Sequence, residues 1–184
     1  QAAEMALFVV DAVAGPQVMT TKLWREAEGM RLSRAVFINH IDREHADFDM
    51  AMATLHARFG SRLGPVTIPI GQDADFKGVI DIIRMEARYF GEGDDSERIE
   101  PIPAEFADAA QAARDKLCDL VAEADDELMM KYLEGEEQLT QDELESLLDK
   151  AIAQELFIPV FVGSTIIKQG IQGLMEDICT YFPH

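Results

Sequence analysis

Apolar and polar positions along the chain fall into two rhythms. Residues 6–11 (ALFVVD) form a short apolar run without alternation, which predicts a strand buried on both faces of a parallel sheet. The turn Ala14-Gly15-Pro16 follows, with proline placed to open a helix that runs to about Met30. Val18, Leu23, Trp24 and Ala27 are available on that helix to cover the sheet. Residues 35–39 (AVFIN) repeat the buried-strand signal, residues 47–59 read as helix, and residues 66–70 as a short extended segment. A third long apolar strand is predicted at 157–162 (FIPVFV), followed by a helix over 170–181. Strand followed by helix, repeated, predicts an α/β fold built on three parallel strands.

Residues 71–154 break this rhythm. Residues 78–90 (GVIDIIRMEARYF) alternate well enough for one or two strands, and the acidic stretch 91–96 reads as a hairpin tip or exposed loop. A long amphipathic helix is predicted next, with Phe106, Ala110, Ala113, Leu117, Leu120, Ala124, Leu128 and Tyr132 on one stripe and Gly135 as its stop. Thr140 and Glu143 form a capping box for a second helix carrying Leu144, Leu147, Leu148 and Ile152. The strand-helix pattern resumes at Phe157. The middle of the chain therefore reads as an inserted α+β subdomain, dividing the molecule into 1–70 with 155–184 and the insert 71–154.

Charge changes the picture more than composition does. Hydrophobic residues make up 48% of the 184 and charged residues 28%, as in ordinary packed domains. The 35 acidic against 16 basic side chains, however, give a net charge of −19. Such a surface repels phosphate backbones, so direct nucleic-acid binding by this chain alone is not expected, and a basic partner suits it better. Cys118 and Cys179 show no metal-type spacing and read as buried, reduced thiols of a cytoplasmic protein. No apolar run approaches the ~20 residues of a membrane span. The chain enters its first strand within five residues of Gln1, which suggests a piece of a longer protein.

Candidate chemistry concentrates just past the second buried strand, at Phe37-Ile38-Asn39-His40-Ile41-Asp42-Arg43. Ligands of open parallel sheets bind at the carboxyl ends of the strands. A carboxylate there accepts two parallel N–H bonds, which matches N1–H and the exocyclic amine of guanine. An asparagine supplies both a donor and an acceptor for the neighbouring loop and the purine N7 edge. After the strand ending at Val162, Gly163-Ser164-Thr165 can aim backbone N–H groups at a carbonyl such as guanine O6. Taken alone, Asn39 and Asp42 would read as Asx turns. A metal site from His40, Asp42, His45 and Asp47 lacks a recognised ligand scaffold, and none is expected.

Asn39-x-x-Asp42 resembles the NKxD guanine-specificity motif of GTPases, and Gly163-Ser164-Thr165 their later SA-type motif. The stretches VDAVAGPQVMTTKLWREA, FINHIDREHADFD, PIGQDADFKGVIDII, ELMMKYLEGEEQLTQDEL and GIQGLMEDICTYFP are similar in order and spacing to elongation factor G across essentially the whole chain. Release factors of that superfamily and ribosome-protection proteins remain competitors. The resemblance implies a partial P-loop GTPase domain with an inserted α+β subdomain. Asn39, His40, Asp42, Ser164, Thr165 and Ile166 would bind GTP or GDP, and the longer protein would hydrolyse GTP on the ribosome. The insert would contact the ribosomal stalk protein. The alternative is a ribosome- or stalk-docking module with weak or lost nucleotide binding.

Two departures stand out. His40 occupies the position of the family's NKxD lysine, and Ile167 that of a lysine two positions past the SA pair. Losing both base-flanking cations predicts weaker nucleotide affinity, by about 1–3 kcal/mol on the scale of base-stacking losses. No GxxxxGK[ST] occurs in the sequence, so the phosphate nest and any Mg²⁺ coordination would come from elsewhere. No GTP hydrolysis is expected of these 184 residues by themselves. With only part of the GTPase sheet represented, the edge of the first strand is predicted to be unpaired and open to homodimerisation.

Overall fold

The computed structural model describes residues 3–91, 97–134 and 139–182. Two four-stranded sheets share the chain. The first is parallel and contains β1 (Met5–Asp11), β2 (Ser33–Asn39), β3 (Leu63–Pro65) and β8 (Ile158–Val162), in the order β1-β2-β8-β3. The second is antiparallel, β4 (Thr67–Ile70), β5 (Gly78–Asp81), β6 (Glu86–Phe90) and β7 (Glu97–Glu100), in sequence order. Helices α1 (Val18–Gly29), α2 (Phe48–Phe59), α3 (Ala107–Val121), α4 (Asp126–Glu134), α5 (Gln141–Ala153) and α6 (Ile171–Tyr181) complete the chain.

The three predicted parallel strands are present, and a fourth joins them. β3 pairs with β8 through Leu63↔Ile158 and Pro65↔Val160. The chain changes sheets at Val66, whose amide donates to Val160 O while its carbonyl accepts from the Ile82 amide. Thr67–Ile70, within the short extended segment expected at 66–70, pairs with β5.

β2 is buried along its whole length, as its apolar run requires, but β1 is not. Phe8 and Val10 face the core, where Phe8 meets Trp24 of α1 at 4.9 Å and Trp24 stacks on Phe59 of α2 at 4.1 Å. On the other face Leu7 and Val9 are open, Val9 at 58% exposure. The expectation of a strand covered on both faces fails here because α5, which covers that side of β2 (Ser33 Oγ donates to Ile152 O), does not extend across β1. The outer edge of β1 has no strand partner among the described residues.

The long amphipathic helix predicted over the middle of the chain is interrupted. α3 ends at Val121, a 3₁₀ turn covers Ala122–Ala124, and Asp125 opens α4 by accepting from the amides of Glu127 and Leu128. The Gly135 stop and the acidic tip at 92–96 lie outside the described residues. The Thr140/Glu143 capping box is present at the start of α5. Arg114 of α3 donates to the carbonyls of Ile82 and Ile83, tying the helix to the end of β5.

Candidate functional site

The carboxyl ends of β1, β2 and β8 lie side by side. In the parallel register Asp11 pairs with Asn39 and Ile38 with Val162, so Asp11, Asn39 and Gly163 reach the same edge of the sheet together. Backbone bonds stitch the loops that follow: Ala12 N to Asn39 O, Gly163 N to Ile38 O, and Ile41 N to Gly163 O. This is the edge at which open parallel sheets bind ligands.

Asn39 is buried and joins the two predicted motifs directly. Its Nδ2 donates to Thr165 Oγ1 at 3.2 Å, and its Oδ1 accepts from the Thr165 amide at 3.0 Å. Asp42 lies in the same loop, and its Oδ1 is buried without a hydrogen-bond partner. A buried acceptor left unsatisfied costs on the order of 1–3 kcal/mol, more when ionised. Asp42 thus brings to this edge of the sheet a carboxylate oxygen that has no partner in the protein.

Ser164, Thr165 and Ile166 sit in a tight loop between β8 and α6. Sequence reasoning expects open backbone donors at residues 163–165. Each of those amides instead has an acceptor within the protein: Ile38 O for Gly163, Gln169 O for Ser164 and Asn39 Oδ1 for Thr165. The Ile166 amide donates to Ser164 Oγ at 3.2 Å. The Ser164–Gln169 bridge closes the loop so tightly that a β-carbon at Gly163 would lie 2.3 Å from Gln169 O. The Ile166 and Ile167 side chains are exposed, apolar cover without charge.

His40 adopts a left-handed backbone (φ 63°), and its Nδ1 lies 3.0 Å from Asp11 Oδ2. Arg43 Nη1 donates to the same oxygen at 2.8 Å, while Asp11 Oδ1 accepts from the amides of Val13 and Ala14. Burial pushes the Asp11 carboxyl up. The Ala14 amide, His40, the Val13 amide and Arg43 together outweigh it and hold the group at about 2. Sequence reasoning misses the roles of both Asp11 and Arg43. The one signal for Asp11 is its place at the end of a parallel strand. Arg43 returns a positive charge beside the histidine that replaces the expected lysine.

An open parallel sheet with two loops locked together at its carboxyl edge, interrupted by an antiparallel insert, has the architecture of a GTPase domain. The family model described as the elongation factor Tu GTP binding domain matches residues 1–184. A Thermus thermophilus protein of known crystal structure is 31% identical and superposes with a TM-score of 0.88, covering 99% of this chain and 27% of that one. The chain belongs to the elongation factor Tu GTP-binding-domain family, in the translational GTPase class that also includes the elongation factor G type. It spans about a quarter of the length of the Thermus protein.

Proposed function

We propose that this chain supplies the guanine-reading part of a translational GTPase of elongation factor G type, and that the longer protein binds GTP and GDP and hydrolyses GTP on the ribosome in the cytoplasm. The observation that carries the reading is the Asn39–Thr165 lock, which joins the Asp42 loop to the loop after β8 at the carboxyl edge of the sheet. Asp42 accepts N1–H and the exocyclic amine of the base. Asn39 holds the second loop in place through Thr165. His40 and the exposed Ile166 cover the ring. Residues 1–70 with 155–184 form the GTPase part and residues 71–154 the insert, which offers the stalk-contacting surface. Mg²⁺ and the phosphates are held by residues outside this sequence.

Asp42→Asn in the full-length protein tests the reading. An amide loses the charge-assisted pair, so GDP affinity measured by calorimetry is expected to fall by about 1.5–3 kcal/mol, roughly ten- to hundredfold. Xanthosine diphosphate, which carries a carbonyl where guanine has its amine, gains in relative affinity because the new amide donates to it. Equal GDP binding by wild type and variant would sink the assignment.

A second reading is favoured by His40 and Ile167. With the imidazole tied to Asp11 and no cation at position 167, nucleotide binding is weak and the domain serves as a ribosome- or stalk-docking module. No GDP binding by the wild-type full-length protein would select this reading over the first.

A further inference from the structure

Both base-reading loops are fastened to the insert, each by side-chain bonds to backbone. In the loop between β8 and α6, Gln169 is buried and uses both ends of its amide on one residue of β6. Its Nε2 donates to Phe90 O at 2.8 Å, and its Oε1 accepts from the Phe90 amide at 2.7 Å. The side chain thus pairs with the edge of β6 as a neighbouring strand residue would, while the Gln169 carbonyl closes on the Ser164 amide. In the loop after β2, the Phe48 amide donates to Gln72 Oε1 at 3.0 Å and the His45 amide to Asp73 Oδ2 at 3.2 Å. The Asp73 amide returns a bond to Ile41 O at 2.8 Å, from a left-handed backbone with φ 57°. Asp42 is therefore flanked by residues bonded to one corner of the insert, and Thr165 lies in a loop bonded to another.

We infer that the insert is a positioning element for base recognition, with Gln169 and the Gln72-Asp73 corner setting the spacing between the Asp42 loop and the Thr165 loop. The inference rests on the guanine-reading assignment of those loops. A planar base bound between two loops is held only as firmly as the loops are spaced, so loosening either attachment speeds release more than it changes the fold. By linkage, ligand binding must tighten the same attachments in return.

The test uses the full-length protein and a fluorescent GDP analogue. Gln169→Leu keeps the volume and removes both bonds to Phe90; the analogue is expected to dissociate about tenfold faster. Gln72→Leu acts on the other loop and is expected to do the same. Glu143→Ala removes the Lys131 bridge and the α5 capping box together, inside the insert but away from both loops, and should leave release unchanged. Amide hydrogen exchange of the wild type supplies a readout that needs no substitution: GDP should slow exchange at Phe90 and Asp73 about tenfold. GDP binding by the wild type with unaltered release in Gln169→Leu and no added protection at Phe90 would overturn the inference alone. Equal acceleration by Glu143→Ala would reduce it to general destabilisation and overturn it as well. Absence of GDP binding by the wild type would overturn the guanine-reading assignment and this inference with it.

Discussion

Asp177 is a buried carboxyl whose titration adds to the pH response of this molecule. It projects from α6 into the seam with the insert, where Arg84 Nη1 bonds it at 2.8 Å and Asp81 at 2.7 Å. Arg88, only 4% exposed, adds contacts to Asp81, Glu86, Glu97 and Glu176. Two guanidiniums thus serve five carboxylates. Burial first, and then the neighbouring Asp81, push the Asp177 carboxyl up to about 6, against the pull of Arg84. An acid raised in the folded state keeps a proton that the unfolded chain has lost, so its contribution is complete below about pH 4 and disappears as pH rises through about 6. Asp177→Asn keeps an acceptor for Arg84 and removes the titration. Relative to wild type, the variant is expected to gain about 1 kcal/mol between pH 5 and pH 7, read from chemical unfolding at the two pH values. An identical difference at both would show that Asp177 does not titrate in this window.

Among the elements, α5 has the clearest local determinants. Thr140 Oγ1 accepts from the Glu143 amide, and the Glu143 carboxylate accepts from the Thr140 amide. α5 buries Leu144, Leu147, Leu148, Ala151 and Ile152. Thr140→Ala is expected to cost about 1 kcal/mol, visible as a lower denaturation midpoint with an unchanged slope. No change would mean that packing alone fixes the start of the helix.

Elements of this kind were legible in the sequence because their determinants lie within a few residues of one another. β2 and β8 announced themselves as apolar runs, and Asn39 and Asp42 as a short motif after one of them. β3 was not legible: Leu63-Gly64-Pro65 is too short for periodicity and carries two residues that usually mark turns. The break after α3 lacks glycine and proline, and its one local cue is Asp125, whose side chain caps α4. The bonds that complete the site escaped for a different reason. Asp11 meets His40 across 29 residues and Gln169 meets Phe90 across 79, and neither pairing leaves a trace in local pattern.

At the scale of the whole molecule, the first strand of the parallel sheet is incompletely covered. Leu7 and Val9 of β1 lie open, as do Val18, Met19 and Leu23 of α1, in a chain whose net charge is −19. An uncovered apolar strand edge invites pairing despite that charge. The 184-residue chain is expected to self-associate through β1, with sedimentation velocity showing a dimer that grows with concentration and salt. Val9→Lys places a charge on the strand and should return the chain to monomer. A wild-type chain that stays monomeric throughout would show that β1 needs no cover.

The sheet order β1-β2-β8-β3 also has a consequence for how the protein is made. β8 lies between β2 and β3, yet of these four strands it is the last to be synthesised: β2 ends at residue 39 and β8 begins at 158. At typical elongation rates of about 5–20 residues per second, the edge of β2 waits on the order of ten seconds for its neighbour. Throughout that interval β2 and β3, both apolar and both on the same nascent chain, must not close on each other. The intervening segment gives the chain something to fold in the meantime. An antiparallel sheet of sequential strands requires only short loop closures and can form early, while the parallel sheet waits for the final strand to reach its centre.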